Sequence, residues 1–278
     1  MIKIDDVHRS FNGTEVLSGA SFEVEKGEML AVIGSSGEGK SVLLRHTAGL
    51  MRPDSGRVVV DGQDLCCLSG RRLVKMWRKF GFLFQSNALF GSMSVFDNVA
   101  FPLREKTRLS SAEIKDRVLH ELEGVGLPEA RNKYPAEISG GMARRVALAR
   151  CLILSPEIMF FDEPTTGLDP MIAHSILNLI ESCHKRHKFT GIIVTHQIPA
   201  AFSIVQKVAM LYQGAIQIVG EPKEVLASTD PVVARFIRGS TLMTIYRGGL
   251  FTMPNAFDHI PGTRHNRDKA QQEDEGVQ

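Results

Sequence analysis

Apolar residues fall into two patterns along this chain. Three short runs are apolar at every position: residues 29–33 (Met-Leu-Ala-Val-Ile), 158–161 (Ile-Met-Phe-Phe) and 192–194 (Ile-Ile-Val). Short runs without alternation predict strands covered on both faces, as in a parallel sheet. Each run gives way at once to polar residues. Between the runs the period is helical. Residues 110–113 read Ser-Ser-Ala-Glu, and this Ser-x-x-Glu spacing predicts a capping box. Ile114, Val118, Leu122 and Val125 then recur at helical spacing. Strands alternating with helices predict an α/β fold whose ligands sit at the carboxyl ends of the strands. Residues 2–60 read more like antiparallel β, with turns at Asn12-Gly13 and Asp61-Gly62. There is no internal repeat.

Composition narrows the class. Of 278 residues, 43% are hydrophobic and 23% charged, which excludes wholesale disorder. The length suits one large domain or two small ones. A formal charge of +2 gives no electrostatic case for nucleic acid. Of four cysteines two are adjacent, Cys66 and Cys67, and no pair has metal-ligand spacing or suggests a secreted disulfide framework. Reduced thiols in a cytosolic protein are expected. The most apolar long stretch, residues 146–161, contains Arg150, Pro156 and Glu157 and falls short of the ~20 residues a membrane span needs. The first residues lack the apolar core of a signal peptide. The expectation is a cytoplasmic chain that reaches a membrane only through a partner.

The strongest chemical signal follows the first apolar run. Gly34-Ser35-Ser36-Gly37-Glu38-Gly39-Lys40-Ser41 fits G-x-x-x-x-G-K-[ST]. Glycines let backbone N–H groups turn inward and approach an anion without side-chain clash. A helix starting near Gly39 points its positive end at phosphate. Lys40 reaches the β- and γ-phosphates, and the Ser41 hydroxyl ligates Mg²⁺. Asp162 and Glu163 end the second run. Alone, two acids at a strand end are more often an ordinary loop or helix cap. With a phosphate loop upstream, Asp162 fits a water-mediated Mg²⁺ ligand and Glu163 a general base for the attacking water.

A second anion grip is legible further on. Ser139-Gly140-Gly141 opens a helix that carries Arg144, Arg145 and Arg150. By itself this is a turn and a cap. Yet a hydroxyl and glycine amides at a helix start also bind anions. One nucleotide does not need two grips in one place, so the second is expected to serve another chain's nucleotide.

These stretches together resemble the nucleotide-binding subunit of ABC transporters, over about residues 2–239. Residues 34–41 match its phosphate loop and residues 158–163 its Walker B strand. Residues 138–142 resemble the Leu-Ser-Gly-Gly-Gln signature. Gln85 fits the Q-loop glutamine, Gly167-Leu168-Asp169 the D-loop and His196 the switch histidine, while Phe11 is placed like the aromatic that stacks on adenine. The resemblance implies an ABC-type P-loop domain with an antiparallel β subdomain and a helical insertion at about residues 86–155. It also implies a sandwich homodimer binding ATP and Mg²⁺. Lys40 of one chain and Ser139 and Gly141 of the other would hold each nucleotide. His196 would contact the γ-phosphate, Asp169 would couple the two sites, and Gln85 would sense Mg²⁺ and water. Ile138 and Met142 replace the signature Leu and Gln, and Gln197 stands where Asp usually follows the switch histidine.

Two stretches, residues 83–105 and 139–150, are most like the MlaF group, the ATPases of Mla phospholipid transporters. That resemblance implies an MlaE-like permease, an MlaB-like STAS-domain protein and an MlaD-like MCE-domain protein as partners. The chain would lie on the cytoplasmic face of the bacterial inner membrane, and phospholipid cargo would be bound by its partners. Another cargo, a soluble ABC ATPase of repair or translation, or a single-chain kinase remain alternatives. A soluble ABC ATPase would usually fuse two modules or insert a coiled coil, and a kinase has no use for Ser139-Gly140-Gly141. Apolar Ala88, Leu89, Phe90, Val95 and Phe96 follow Gln85. Most are expected in the core of the insertion, with Leu89 or Phe90 meeting a permease helix. Residues 240–261, with Leu242, Met243, Ile245, Tyr246, Leu250, Phe251, Met253 and Phe257, form an apolar tail expected to pack on another subunit. The polar end from Gly262 is expected to be disordered.

Overall fold

The computed structural model describes residues 1–248. Among them are ten strands and nine α-helices. Four strands, β1 (Ile2–Phe11), β2 (Thr14–Val24), β4 (Ser55–Val60) and β5 (Gln63–Asp64), form an antiparallel sheet in the order β2-β1-β4-β5. The turns expected at Asn12-Gly13 and Asp61-Gly62 join β1 to β2 and β4 to β5. All four of these residues have positive φ (50° and 81°, 48° and 76°), as a type I′ hairpin turn demands.

The second sheet is six-stranded, in the order β10-β9-β3-β8-β7-β6. It comprises β3 (Met29–Ile33), β6 (Phe80–Leu83), β7 (Ile158–Asp162), β8 (Thr190–Val194), β9 (Lys207–Tyr212) and β10 (Ala215–Gly220). All pairings are parallel except that of β10 with β9. The three runs expected as parallel strands are β3, β7 and β8. Their continuous apolarity has a plain cause. In β7, Ile158 and Phe160 enter the core shared with the antiparallel sheet, while Met159 and Phe161 enter the core on the opposite face. Strands β6 and β9 were not singled out from sequence. Periodicity alone cannot tell such short apolar runs from buried helix.

Helices α1 (Lys40–Thr47) and α2 (Gly70–Trp77) pack on the antiparallel side through Leu43, Leu44 and Met76. Between β6 and β7 lie α3 (Val95–Lys106), α4 (Ser111–Gly124) and α5 (Gly140–Leu152), which build a third core around Val99, Leu103, Val118, Leu122 and Val146. All three fall within residues 86–155. Ser110 and Glu113 form the capping box read from the sequence. The opposite face of the central sheet is covered by α5 and α6 (Pro170–His187), with α7 (Ile198–Phe202), α8 (Pro222–Leu226) and α9 (Pro231–Gly248) near its edge. Helix α9 begins on Asp230, whose Oδ1 accepts the Val232 and Val233 N–H groups at 2.8 and 3.0 Å. It passes Gly239 without a break, so the boundary expected there falls inside a helix. The tail residues from Gly249 onward, with Leu250, Phe251, Met253, Phe257 and the polar end, lie outside the described residues. Among the described residues no helix is long and apolar enough to cross a membrane.

Candidate functional site

The phosphate loop leaves the carboxyl end of β3. Two of its glycines are required by contact. A Cβ on Gly34 would lie 2.5 Å from the Leu211 carbonyl oxygen of β9. Gly39 has φ 92°, and a Cβ there would lie 2.8 Å from Val16 Cγ1. Gly39 is also the N-cap of α1, so the unpaired amides of that helix open toward the loop. Ser35, Ser36 and Gly37 are exposed. Lys40 is buried, and its Nζ donates to the carbonyls of Gly34 (3.0 Å) and Ser35 (2.8 Å). Burial pushes its pKa down, and the carboxylates of Glu163, Glu38 and Asp162 work against that shift. A poorly solvated ammonium under a ring of amides favours an incoming anion. Glu38 does other work: its Oε2 accepts the Gln213 N–H at 2.6 Å, tying the loop to the turn between β9 and β10.

Two acids from β7 complete this half. Ser41 Oγ donates to Asp162 Oδ1 at 2.6 Å across 121 residues of sequence. A hydroxyl and a carboxylate are hard oxygen donors. They leave room for water and phosphate oxygens, which is how Mg²⁺ is held. Among the described residues no group of three or more His, Cys, Asp or Glu is placed to hold a metal ion. Glu163 is 9% exposed and sits at φ 50°, a left-handed conformation rarely imposed on a glutamate. Its N–H donates to the Val194 carbonyl at 3.0 Å, holding the turn on β8. His196 follows β8 and brings Nδ1 to 2.9 Å from Glu163 Oε2 and 3.1 Å from Oε1. The imidazole thus shares its Nδ1–H with the carboxylate and leaves Nε2 free to meet a substrate oxygen.

The remaining candidates are not all drawn together. Ser139 is exposed and N-caps α5, its Oγ accepting the Met142 N–H at 3.3 Å. Gly140 is exposed. Gly141 is buried, and a Cβ there would lie 2.7 Å from Ile172 Cγ2, so close packing of α5 on α6 also requires it. Ile138 and Met142 pack partly on the core of the insertion and leave the Ser139 hydroxyl and the glycine amides untouched. Among the described residues no hydrogen bond or ion pair joins this turn to the phosphate loop. The Gln85 side chain is exposed and makes no hydrogen bond among the described residues. Phe11 ends β1 half-buried, outside the hydrophobic cores, with the Arg9 guanidinium 4.7 Å from its ring centroid. Asp169 is exposed and caps α6, its Oδ1 accepting the Met171 and Ile172 N–H groups at 3.1 and 3.0 Å. Gln197 places its N–H on Thr195 Oγ1 at 3.0 Å and makes no side-chain cap for α7.

Several residues gain meaning only in three dimensions. Thr166 Oγ1 donates to Glu163 Oε2 at 2.9 Å, steadying the carboxylate that His196 also holds. Its three-residue spacing from Glu163, in a turn closed by the Thr166 N–H on the Glu163 carbonyl, was the signal available. Phe84 stacks on Phe82 at 4.2 Å yet remains 39% exposed, beside an exposed Phe90. Of the apolar residues after Gln85, Val95 is core, Leu89 and Phe96 are half-buried, and Ala88 is exposed with Phe90.

Comparison with known proteins agrees with this geometry. Residues 17–166, more than half of the chain, match the family model described as ABC transporter. The chain is 42% identical over 221 residues to the intermembrane phospholipid transport system ATP-binding protein MlaF of Haemophilus influenzae, covering 80% of this chain and 84% of that one. It is 39% identical over 238 residues to the probable ribonucleotide transport ATP-binding protein mkl of Mycobacterium leprae, covering 86% of this chain and 69% of that one. Its fold superposes with a TM-score of 0.73, at 30% identity, on the dimeric post-hydrolysis structure of the ATP-binding cassette MJ0796 bound to ADP and Pi, covering 80% of this chain and 99% of that one. With a phosphate loop, a paired hydroxyl and carboxylate, and a glutamate–histidine contact at the ends of adjacent parallel strands, the chain belongs to the ABC transporter family and is one of its ATP-hydrolysing cassettes.

Proposed function

We propose that this cassette drives phospholipid transport between the inner and outer membranes of a Gram-negative envelope, maintaining outer-membrane lipid asymmetry. It works as a homodimer on the cytoplasmic face of the inner membrane. An MlaE-like permease, an MlaD-like MCE protein and an MlaB-like STAS protein complete the assembly and hold the lipid. The cargo is inferred from the transport systems that similar proteins serve. The match to MlaF spans 84% of that protein, more than the 69% of the mycobacterial relative named for ribonucleotide transport.

The chemistry rests on one observation, the contact between Glu163 and His196 beside Lys40 and the Ser41–Asp162 pair. Lys40 leaves the Gly34 and Ser35 carbonyls to meet the phosphates, and the amides of residues 34–41 surround them. Ser41, Asp162 and Gln85 would hold Mg²⁺, which would supply neutralising charge to the phosphates. Glu163 takes the proton of the attacking water. His196 keeps that carboxylate oriented and contacts the γ-phosphate. Phe11 carries the adenine. Ser139, Gly140 and Gly141 close on the nucleotide of the opposite chain, and Asp169 links the two sites. The cassette comprises residues 1–239, with its helical insertion at about 86–155, and α9 carries the chain past Gly239 into the remaining stretch. Phe90, exposed on the loop that follows Gln85, meets the permease.

The test is recovery of the full chain from native membranes, with identification of the copurifying polypeptides and lipid. Phospholipid with a permease and an MCE-domain protein upholds the reading. A nucleotide cargo, or a chain that hydrolyses ATP with no membrane partner, overturns it.

A further inference from the structure

The loop that carries Gln85 is fastened almost wholly to the helical insertion. Arg144, on α5, donates from Nη1 to the Phe84 carbonyl and from Nη2 to the Gln85 carbonyl, both at 2.8 Å. Less than two turns further along the same helix, Arg150 donates from Nη1 to the Ala88 carbonyl and from Nη2 to the Asn87 carbonyl, both again at 2.8 Å. The far end of the loop is held from α3. Asn98 is fully buried, accepts the Phe90 N–H at 2.9 Å, and donates to the carbonyls of Phe90, Met93 and Ser94.

Two features make these contacts more than incidental. Arg144 is 3% exposed, and among the described residues it pairs with no carboxylate and its Nε has no hydrogen-bond partner. A fold that buries a guanidinium without a counter-charge compensates it only through the two carbonyls it grips. Asn87 and Ala88 also stand in succession at φ 61° and 49°, a left-handed pair that non-glycine residues rarely adopt. That conformation turns both carbonyls toward Arg150, whose guanidinium also lies 5.8 Å from the Phe90 ring centroid. The strained backbone and the arginine hold each other in place.

Helix α5 begins at the Ser139 cap, and less than two helical turns separate that cap from Arg144. We propose that Arg144 and Arg150 are positioning residues that clamp the Gln85 loop to the helix of the second anion grip, so that Gln85 moves with Ser139 as one body. When α5 closes on a nucleotide through Ser139, the clamp delivers Gln85 to its own chain's site at the same moment. The proposal rests on the nucleotide roles given above to Ser139 and Gln85.

The experiment uses the full chain assembled with its transmembrane partner. Arg150→Gln and Arg144→Gln each raise hydrogen exchange at residues 84–90 by about fivefold or more and leave residues 34–41 unchanged. ATP affinity stays within about twofold, while kcat falls by about tenfold or more. Combining either change with Gln85→Ala lowers kcat no further than Gln85→Ala alone. Arg144→Lys restores only part of the loss, because one ammonium cannot span two carbonyls as a planar fork does. Unchanged exchange at 84–90 in both glutamine variants overturns the clamp. So does a kcat loss that multiplies with that of Gln85→Ala, or exchange that rises equally at 34–41. Arg150 is half-buried, so its variant keeps the test open if Arg144→Gln fails to fold. If Gln85→Ala leaves turnover intact, the nucleotide role of Gln85 fails on that result, and the exchange data alone uphold or overturn the clamp.

Discussion

The phosphate loop and the Ser139 turn are both helix starts with open amides, yet they are built in opposite ways. The phosphate loop is enclosed. Gly34 presses on β9, Gly39 presses on Val16, Lys40 is buried on two carbonyls, and Asp162 already holds Ser41. The Lys40, Ser41 and Glu38 side chains thus have partners within the chain, while Ser35, Ser36 and Gly37 stay exposed. At the second grip Ser139 and Gly140 are exposed, the Ser139 hydroxyl caps its helix, and among the described residues no polar bond ties the turn to the phosphate loop. A preformed grip recognises its ligand alone. An open one acts when something outside the chain arrives. The difference between them is the physical argument for a site shared between two chains.

The strongest way to break the comparison is to disable chemistry in the enclosed half while sparing its grip. Glu163→Gln should keep ATP binding and lower turnover by about 10²- to 10⁴-fold, since an amide cannot take a proton from water at neutral pH. Phosphate release and a nucleotide titration read the two quantities separately, and near-normal release would remove Glu163 as the base. Lys40→Ala, by contrast, should weaken binding and turnover together.

A second test asks whether the open half serves the other chain. Lys40→Ala chains mixed with Ser139→Arg chains form heterodimers that have one doubly damaged site and one intact site. ATPase activity absent from either homodimer should then appear. No gain from verified heterodimers means that sharing is wrong or that both sites must fire together. A crosslink from Ser139 to the opposite phosphate loop separates those two cases.

Stability gives a finer measure. Gly39→Ala meets Val16 and a left-handed φ, and Gly141→Ala meets a branched methyl of Ile172. Overpacking of this kind costs about 1–3 kcal/mol, and Gly141→Ala should fall at the low end because alanine also favours the helix. Denaturant midpoints decide, and an unchanged midpoint for Gly141→Ala would leave its glycine to anion binding alone. The smallest expected effect is at Asp169. Asp169→Asn preserves the cap and should shift stability by less than about 0.5 kcal/mol, whereas Asp169→Ala should cost about 1 kcal/mol. Loss of ATPase cooperativity in the asparagine variant, with stability intact, would separate coupling between the sites from capping.

Some of this was legible before any coordinates. The strand–loop–helix at residues 29–47, the hairpin turns and the Ser110 capping box are set by neighbours in sequence, and each appears where its pattern places it. Strands β6 and β9 lacked a pattern of their own, because a short buried run has no periodicity to distinguish it. Asp169 carried a capping role that its assignment to the D-loop had overshadowed. Glu38, counted with the phosphate ligands, turns out to anchor the Gln213 turn.

What the sequence determined by itself was therefore local: which residues start a helix, which segment cradles an anion, and which runs are covered on both faces. Tertiary structure decided the pairings, Ser41 with Asp162 across 121 residues, Glu163 with His196 across 33, and Arg144 with the Phe84 carbonyl across 60. The residues of the first two could be singled out because hydroxyl, carboxylate and imidazole are chemically distinctive groups, though their contacts with each other could not. The third could not. An arginine that binds a carbonyl oxygen is blind to its partner's side chain, since every residue carries that oxygen, and only the path of the backbone selects which one it meets.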